Sequence, residues 1–470
     1  MMTRRPAAAV LTAVVLLALP AAAQTPATNT SSLSRAAWVP VLSATAPLPS
    51  VAASAPAVPA PPPAAPRKDG LVWNGRPSLR YGDSFEMDFK LLTLANVRQS
   101  SLDLATRGGS IAWDTRRAGV KGRIFKYVEF EVQHDLESGG KWRDVYVNLR
   151  PIPFAQVQVG QFKVPFGYEW LTGRSELDFV NRSRVSDAIT AGRDVGVMLH
   201  GRPFKRVIRY EAGVFRHDGD GAPKLHPADL LPGEQPGSRS RAYAARVTIA
   251  PLRLSSLRGK YNDLEIGGAF TSSTVPEGRN HLHGAMALGD KFFDRRYYTN
   301  GRRLRTGVEV SWDIGPASIR AEYLRCREAR DRVGVGNETQ LDNNLPAIIS
   351  QGWYAAGTWV LTGEKREGGV EPRRPLLQGG IGAVELTARY EQLRFSSPGA
   401  ESEPASDSRR AAHILGNGER AFTGGLNWYV NRWIRLRFNG IREVLDDGSL
   451  GPEPNRTSFW SVISQLQVGF

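Results

Sequence analysis

The sequence predicts an all-β protein: a 16-stranded antiparallel transmembrane β-barrel preceded by a disordered Ala/Pro-rich tether. Three observations carry this. Hydrophobicity alternates with a period of two from about Leu79 to the last residue, the alternating segments are even in number, and the connections between them alternate between tight and long. The last segment shows the period: Trp460, Val462, Leu466, Val468 and Phe470 are apolar, with Ser461, Gln465 and Gln467 between them. Ile434, Leu436 and Phe438 alternate with Arg435, Arg437 and Asn439, and Val145, Val147 and Leu149 with Asp144, Tyr146, Asn148 and Arg150. Successive side chains of a strand point to opposite faces, so each segment has one apolar and one polar face. A half-buried soluble sheet gives the same alternation, and the connections decide between the two.

Sixteen segments centre near Phe85, Arg117, Phe130, Tyr146, Val157, Val197, Tyr210, Arg246, Gly268, Val310, Ala321, Gly357, Thr387, Leu426, Leu436 and Ile463. Tight turns suffice between the second and third, the fourth and fifth (Pro151, Pro153), the sixth and seventh (Arg202, Pro203), the tenth and eleventh (Gly315, Pro316) and the fourteenth and fifteenth (Asn431). Most intervening connections are long: 162–192, 217–239, 274–303, 326–350 and 396–418. Short turns at one rim and long loops at the other characterise outer-membrane barrels. Hydrocarbon offers no hydrogen-bond partners, so strands cross it only in a closed sheet without free edges. Connections 251–262 and 363–379 are long where short ones are expected, which leaves the strand register there open. Trp312, Tyr323, Trp353, Trp359, Trp428 and Trp460 suit interfacial girdles. Sixteen strands predict an aqueous lumen rather than a packed interior.

The N-terminal region reads differently. Residues 1–23 are expected to be a signal peptide: Arg4 and Arg5, an apolar run from Ala7 to Leu19, Pro20, then Ala21–Ala23 before the cut. That run is about 13 residues, shorter than the roughly 20 that span a bilayer as a helix, which argues against a membrane anchor. Residues 24–69 are rich in Ala, Pro, Ser and Thr, and such a composition favours an extended linker over a packed core. The barrel domain is then 70–470. The chain carries 61 Lys+Arg against 46 Asp+Glu, a formal charge of +15. Export turns this excess away from nucleic acid and toward an anionic solute, lipopolysaccharide or an acidic protein. The single cysteine, Cys326, excludes an intramolecular disulfide and a Cys-based metal site, and no cofactor is expected.

Strand parity directs Arg246, Arg305, Arg320, Arg389, Arg435 and Arg437 into the lumen. A planar guanidinium matches two phosphate oxygens, so a succession of them makes a path for anions. The same parity points Glu129, Glu131, Asp144, Glu309, Glu322, Glu385 and Glu391 inward, and arginine–carboxylate pairs equally serve to hold an inserted loop. Enzymatic motifs are weak. There is no GxSxG elbow. His281 and His283 stand alone in a long connection, HDGDGA at 217–222 lacks the distal Glu of a calcium loop, and GGIGAVEL at 379–386 leads into a strand.

The segments QFKVPFGYEWLTGRSELDFVNRS (161–183), GRDVGVMLHG (192–201), GWYAAGTWVLTGE (352–364), GAVELTARYEQL (382–393) and GLNWYVNRWIRLRFNGIR (425–442) resemble, in order, those of the phosphate-selective porins O and P. The resemblance implies a homotrimeric outer-membrane porin for phosphate or polyphosphate, seated among outer-membrane lipid and lipopolysaccharide. It implies a third loop folded inward to narrow the pore, here 162–192, and an arginine ladder leading to constriction lysines. Lys163 matches the constriction position, with Arg174, Arg182, Arg184 and Arg193 as neighbours from that loop. The tether departs from family members that begin almost directly with the barrel. Two other functions stay open: a general, weakly selective porin, and an anchoring or adhesion barrel with a closed lumen.

Overall fold

The computed structural model describes residues 69–73, 75–101, 110–137, 139–219, 241–254, 264–331, 344–366, 368–397, 414 and 416–470. The expected signal peptide (1–23) and all but the last residue of the expected tether (24–69) lie outside the described residues. Eighteen strands follow: β1 (Gly70–Trp73), β2 (Pro77–Tyr81), β3 (Phe85–Ser100), β4 (Ser110–Ile124), β5 (Val128–Asp135), β6 (Trp142–Ile152), β7 (Ala155–Lys163), β8 (Arg193–Gly201) and β9 (Ile208–Phe215). The series continues with β10 (Ala242–Ile249), β11 (Leu264–Ala285), β12 (Lys291–Ile314), β13 (Ala317–Arg330), β14 (Leu345–Val360), β15 (Ala383–Ser396), β16 (Asn417–Tyr429), β17 (Ile434–Leu445) and β18 (Ser458–Gly469).

Sixteen of these form the ring. Each strand from β3 onward pairs antiparallel with the next, and β18 returns to β3 with Ser461 opposite Ser100 and Gly469 opposite Leu92. Each expected centre falls in one ring strand, from Phe85 at the start of β3 to Ile463 in β18. The hairpin β1–β2 is additional and too short to register as alternation. It pairs with β3 from Phe85 to Asp88, the stretch beyond the reach of β18, and so covers backbone groups that would form a free edge. Trp73 closes this seam, its ring 6.3 Å from that of Phe470.

Three expectations change. The connection 274–303 is strand almost throughout: β11 and β12 pair as far as Ala285 opposite Lys291, and only 286–290 turn. Its apolar residues are too widely spaced to signal a strand alone, but Leu282, Met286, Phe292, Phe293 and Tyr297 are buried against the far wall. The lumen, expected to be aqueous, is consequently packed on its C-terminal side. Loop 164–192, with helices α1 (Tyr168–Leu171) and α2 (Arg184–Ile189), folds inward and adds Phe166, Val185 and Ile189 to the same cluster as Phe395, Leu445 and Phe459 of the wall. Gly352 permits the approach, since a Cβ there would meet Val185 Cγ2 at 2.8 Å. Finally, the open register around 363–379 resolves: β14 and β15 pair without interruption from Ile349–Ser396 to Val360–Glu385, and 361–382 is a folded turn segment hydrogen-bonded to the next turn through Leu376 N and Val430 O at 3.0 Å. At the other open connection β10 ends at Ile249 before a short turn, Pro251–Leu254, and residues 255–263 lie outside the described residues.

Phe293 stacks on Phe395 with ring centroids 4.6 Å apart and planes 9° from parallel. Truncating a buried phenylalanine costs about 3 kcal/mol or more. Phe293→Ala is therefore expected to lower the thermal unfolding temperature of the purified barrel and, by loosening the β11–β12 hairpin, to raise single-channel conductance; unchanged values of both would contradict this packing role.

Candidate functional site: a lumen divided by its inserted loop

The inserted loop is fastened to the C-terminal wall by guanidinium groups whose direction parity foretold. Arg437 is fully buried and donates through Nη1 to the carbonyl oxygens of Leu177 (2.8 Å) and Phe179 (3.1 Å) and through Nη2 to Gln465 and Gln467. Arg435 donates to Ser175 O at 2.7 Å and to Gln467 Oε1 at 2.9 Å. Arg389 donates to Asn181 O and Glu169 Oε1, both at 3.1 Å, pairs with Glu391 at 3.1 Å and lies 4.5 Å over the Phe179 ring. Inward carboxylates take the loop's amides: Glu391 accepts from Arg184 N at 2.5 Å, and Glu322 from Tyr168 N at 2.5 Å. Asn439 Oδ1 accepts from Val180 N at 2.8 Å. Where the loop packs against the wall its backbone groups are buried, and wall side chains satisfy them.

The other three inward arginines make pairs of their own. Arg246 bridges Glu211 (2.7 Å) and Glu309. Arg320 pairs with Asp313 at 2.5 Å and lies over the Tyr168 ring. Arg305 and Arg303 grip Asp218, both at 2.6 Å. Asp218 belongs to the HDGDGA segment, whose residues 220–222 are outside the described residues. Burial opposes its charge, but the guanidinium groups of Arg305 and Arg303 outweigh this and hold the carboxyl below the usual carboxylate range.

Within the loop, Arg182 and Arg184 are buried. Arg182 donates to Glu169 O and Thr172 O, and burial pushes its guanidinium down to about 10, still charged at neutral pH. Arg184 sits among Glu391, Glu443 and Glu419; burial alone would lower it, and these carboxylates raise it above the ordinary arginine range. Lys163, Arg174 and Arg193 are placed differently. They line a cavity of about 1400 Å³ between the loop and the rim where the N- and C-terminal strands meet, bounded by the inward faces of β3–β9. Lys163 Nζ donates to the carbonyl oxygens of Leu171 (3.1 Å) and Thr172 (3.0 Å), Arg193 pairs with Asp144 at 2.8 Å, and Arg174 pairs with Asp114.

The cavity lining holds eleven basic side chains against six acidic ones. Several of the bases, Lys90, Arg117, Lys121 and Arg209 among them, were not picked out by the sequence reading. The alternation Arg117, Gly119, Lys121 on β4 could have found them, but Arg116 beside Arg117 blurs which face is charged. Lys90 pairs with Glu131 at 2.6 Å, and Arg117 with Asp135 at 2.6 Å. Lys121 and Lys163 make no ion pair among the described residues. His283 and the HLH segment lie on β11 rather than in a loop, and among the described residues no cluster of three or more His, Cys, Asp or Glu is arranged to hold a metal ion.

Comparison with known proteins follows this geometry. The family model for phosphate-selective porin O and P matches residues 110–462. Porin O of Pseudomonas aeruginosa is 29% identical over 152 residues, which is 30% of this chain and 30% of that protein, so the match spans under a third of its length. An uncharacterized protein of Caulobacter vibrioides is 24% identical over 441 residues, 90% of this chain and 77% of that one. Among solved structures, the outer membrane channel DcaP of Acinetobacter baumannii aligns with a TM-score of 0.50 at 9% identity, covering 86% of this chain and all of that one, a likeness of fold alone.

Two outcomes test the fastening. Arg437→Ala leaves the Leu177 and Phe179 carbonyls without these donors, and a buried acceptor left unmet costs roughly 1–3 kcal/mol; lower thermal stability and noisier single-channel currents are expected. Asp218→Asn removes one partner of a buried pair, expected to cost about 3 kcal/mol at neutral pH. Because the folded carboxyl is held down, its contribution is full above the unfolded value and is lost as pH falls through the folded value. The stability gap between Asp218→Asn and the parent should therefore persist through pH 4 and close only in stronger acid, as read by unfolding in detergent across that range.

Proposed function

Because the chain belongs to the phosphate-selective porin O and P family, we propose that it is an outer-membrane porin whose passive flux favours anions, with phosphate or polyphosphate as the solute class. The supporting observation is the basic excess of the cavity on the β3–β9 side of the lumen. In this reading solute passes on this side; the opposite side is occupied largely by the loop, the β11–β12 hairpin and their apolar contacts, and its cavity lined by Arg320, Arg366 and Arg435 is smaller, about 440 Å³. Lys121 supplies a cationic group and Lys163 an amino group that also donates to Leu171 O and Thr172 O, neither with a carboxylate ion-pair partner among the described residues, and Arg193 and Arg174 present guanidiniums partly satisfied by Asp144 and Asp114. Sites of moderate strength along a path let an anion enter and leave again. In this reading Arg246, Arg305, Arg320, Arg389, Arg435 and Arg437, with the loop's Arg182 and Arg184, position the loop and wall rather than meet the solute. The family resemblance supports a homotrimer, with the tether on the periplasmic side after removal of the signal peptide.

A general porin of weak selectivity shares this architecture, and reversal potentials separate the two. In a salt gradient across a planar bilayer, the reading expects an anion-selective reversal potential and block of chloride current by inorganic phosphate. Lys163→Glu and Lys121→Glu should each shift the potential toward cations and weaken the block several-fold. A neutral or cation-selective parent channel overturns the proposal; absence of conductance altogether would favour the anchoring role.

A further inference from the structure

The lumen accounts for the inward arginines, but others face outward, where lipid lies. On β13 the outward positions run Ile319, Tyr323, Arg325, Arg327, alternating with buried Arg320, Glu322, Leu324 and Cys326. Arg325 stands eight residues and Arg327 ten residues above Ala317, the first residue after the tight turn. At about 3.4 Å per residue and a strand tilt near 40°, these rises are about 21 and 26 Å along the membrane normal, the top of an apolar band about 25 Å tall. Arg327 is opposite Leu304 on β12, so outward Arg302, two residues on, is its diagonal neighbour. Arg325, Gln351 and Arg394 occupy one rung across β13, β14 and β15.

Directly beneath, Tyr323 and Trp353 share the next outward rung, and Tyr390, diagonal to Trp353, brings its ring to 5.6 Å from the Trp353 ring. Interfacial aromatics mark the headgroup boundary, so the arginines sit in the headgroup layer of the outer leaflet. The side chains of Arg325 and Arg327, whose backbones pair in the β12–β13 and β13–β14 ladders, make no hydrogen bond or ion pair among the described residues. Among the described residues the Arg302 side chain donates to Ser272 Oγ at 3.0 Å. Among the described residues the acids at this rim are Asp331, just past the end of β13, and Asp446, which is shared by Arg394 (2.9 Å) and Arg420 (3.2 Å). Among the described residues of this lipid-facing surface, positive charge therefore exceeds negative.

We infer that Arg302, Arg325 and Arg327 form a docking site for the phosphate groups of the phosphorylated glycolipid of the outer leaflet, its acyl chains lying on the apolar wall below. Guanidinium forks take phosphate oxygens bidentately, and their alkyl stems cover apolar surface while the heads reach up to the charged layer. The glycolipid is favoured over free phosphate because the basic groups are joined to an aromatic and aliphatic face of matching depth, which only an amphiphile uses.

The test measures binding of diphosphoryl lipid A, and of lipid A stripped of both phosphates, to the full-length protein in phosphatidylcholine nanodiscs, for the parent and for the triple variant R302Q/R325Q/R327Q. Three charges near a headgroup surface predict at least about a tenfold loss of diphosphoryl lipid A affinity, a parent preference for the diphosphoryl form, and unchanged conductance and thermal stability. Equal binding by the triple variant, or equal binding of the dephosphorylated lipid by the parent, overturns the site. So does loss of oligomer in the variant with lipid binding intact, which would make the patch a subunit contact. If R302Q/R325Q/R327Q folds poorly, R325K/R327K decides by the same affinity ratio, since lysine keeps the charge and loses the fork: full loss supports bidentate phosphate contact, and equal binding of both lipid forms refutes it.

Discussion

Guanidinium groups on one wall take up the carbonyl oxygens of a loop that has no strand partner, and the arrangement of the interior follows from that exchange. Loop residues Ser175, Leu177, Phe179, Asn181 and Arg182 present backbone acceptors to Arg435, Arg437 and Arg389. Taking arginine out of water is costly, and the cost is offset only where several acceptors converge on it. Each of these side chains meets two or more. The charge so committed is held by the wall and the loop together, which is why the arginines most conspicuous in the sequence lie on the filled side of the lumen and the open side relies on others.

The β11–β12 hairpin and the loop are one device. The hairpin tip donates Ala287 N to Glu443 Oε1 at 2.6 Å and accepts from Asn181 Nδ2 of the loop at 2.7 Å, so wall, loop and hairpin share a contact network. Apolar packing of Phe166, Phe292, Phe293 and Phe395 then excludes water around it, which strengthens the ion pairs inside. The result is an asymmetric interior: a packed half where wall and loop are joined by hydrogen bonds and ion pairs, and a half where basic side chains outnumber acids.

Much of this was legible in the residues. Period-two alternation located all sixteen ring strands, because a lipid-facing strand must keep one apolar face over its whole length. It did not reveal β1–β2, since four and five residues are too few to show a period, nor the strand character of 274–303, which depends on Phe395 and Leu445 more than a hundred residues away. Parity gave the direction of Arg389 and Arg437 correctly but could not name their partners, which lie 208 and 260 residues distant in the chain. Lys163 was reached through a motif and Lys121 was not reached at all, because glycines and adjacent arginines on β4 hide which face is charged.

The seam between first and last ring strands has a consequence for how the molecule comes to exist. Gln465 Nε2 donates to Asn96 Oδ1 at 2.7 Å across 369 residues of sequence, and Phe470 exchanges backbone hydrogen bonds with Leu91. β18 (Ser458–Gly469) is the strand that pairs with β3, so closure of the ring waits for it. Contacts of such sequence separation form slowly, and until they form, the open edges and apolar faces are prone to aggregate. Pairing of β18 with β3 is therefore the step that commits the ring.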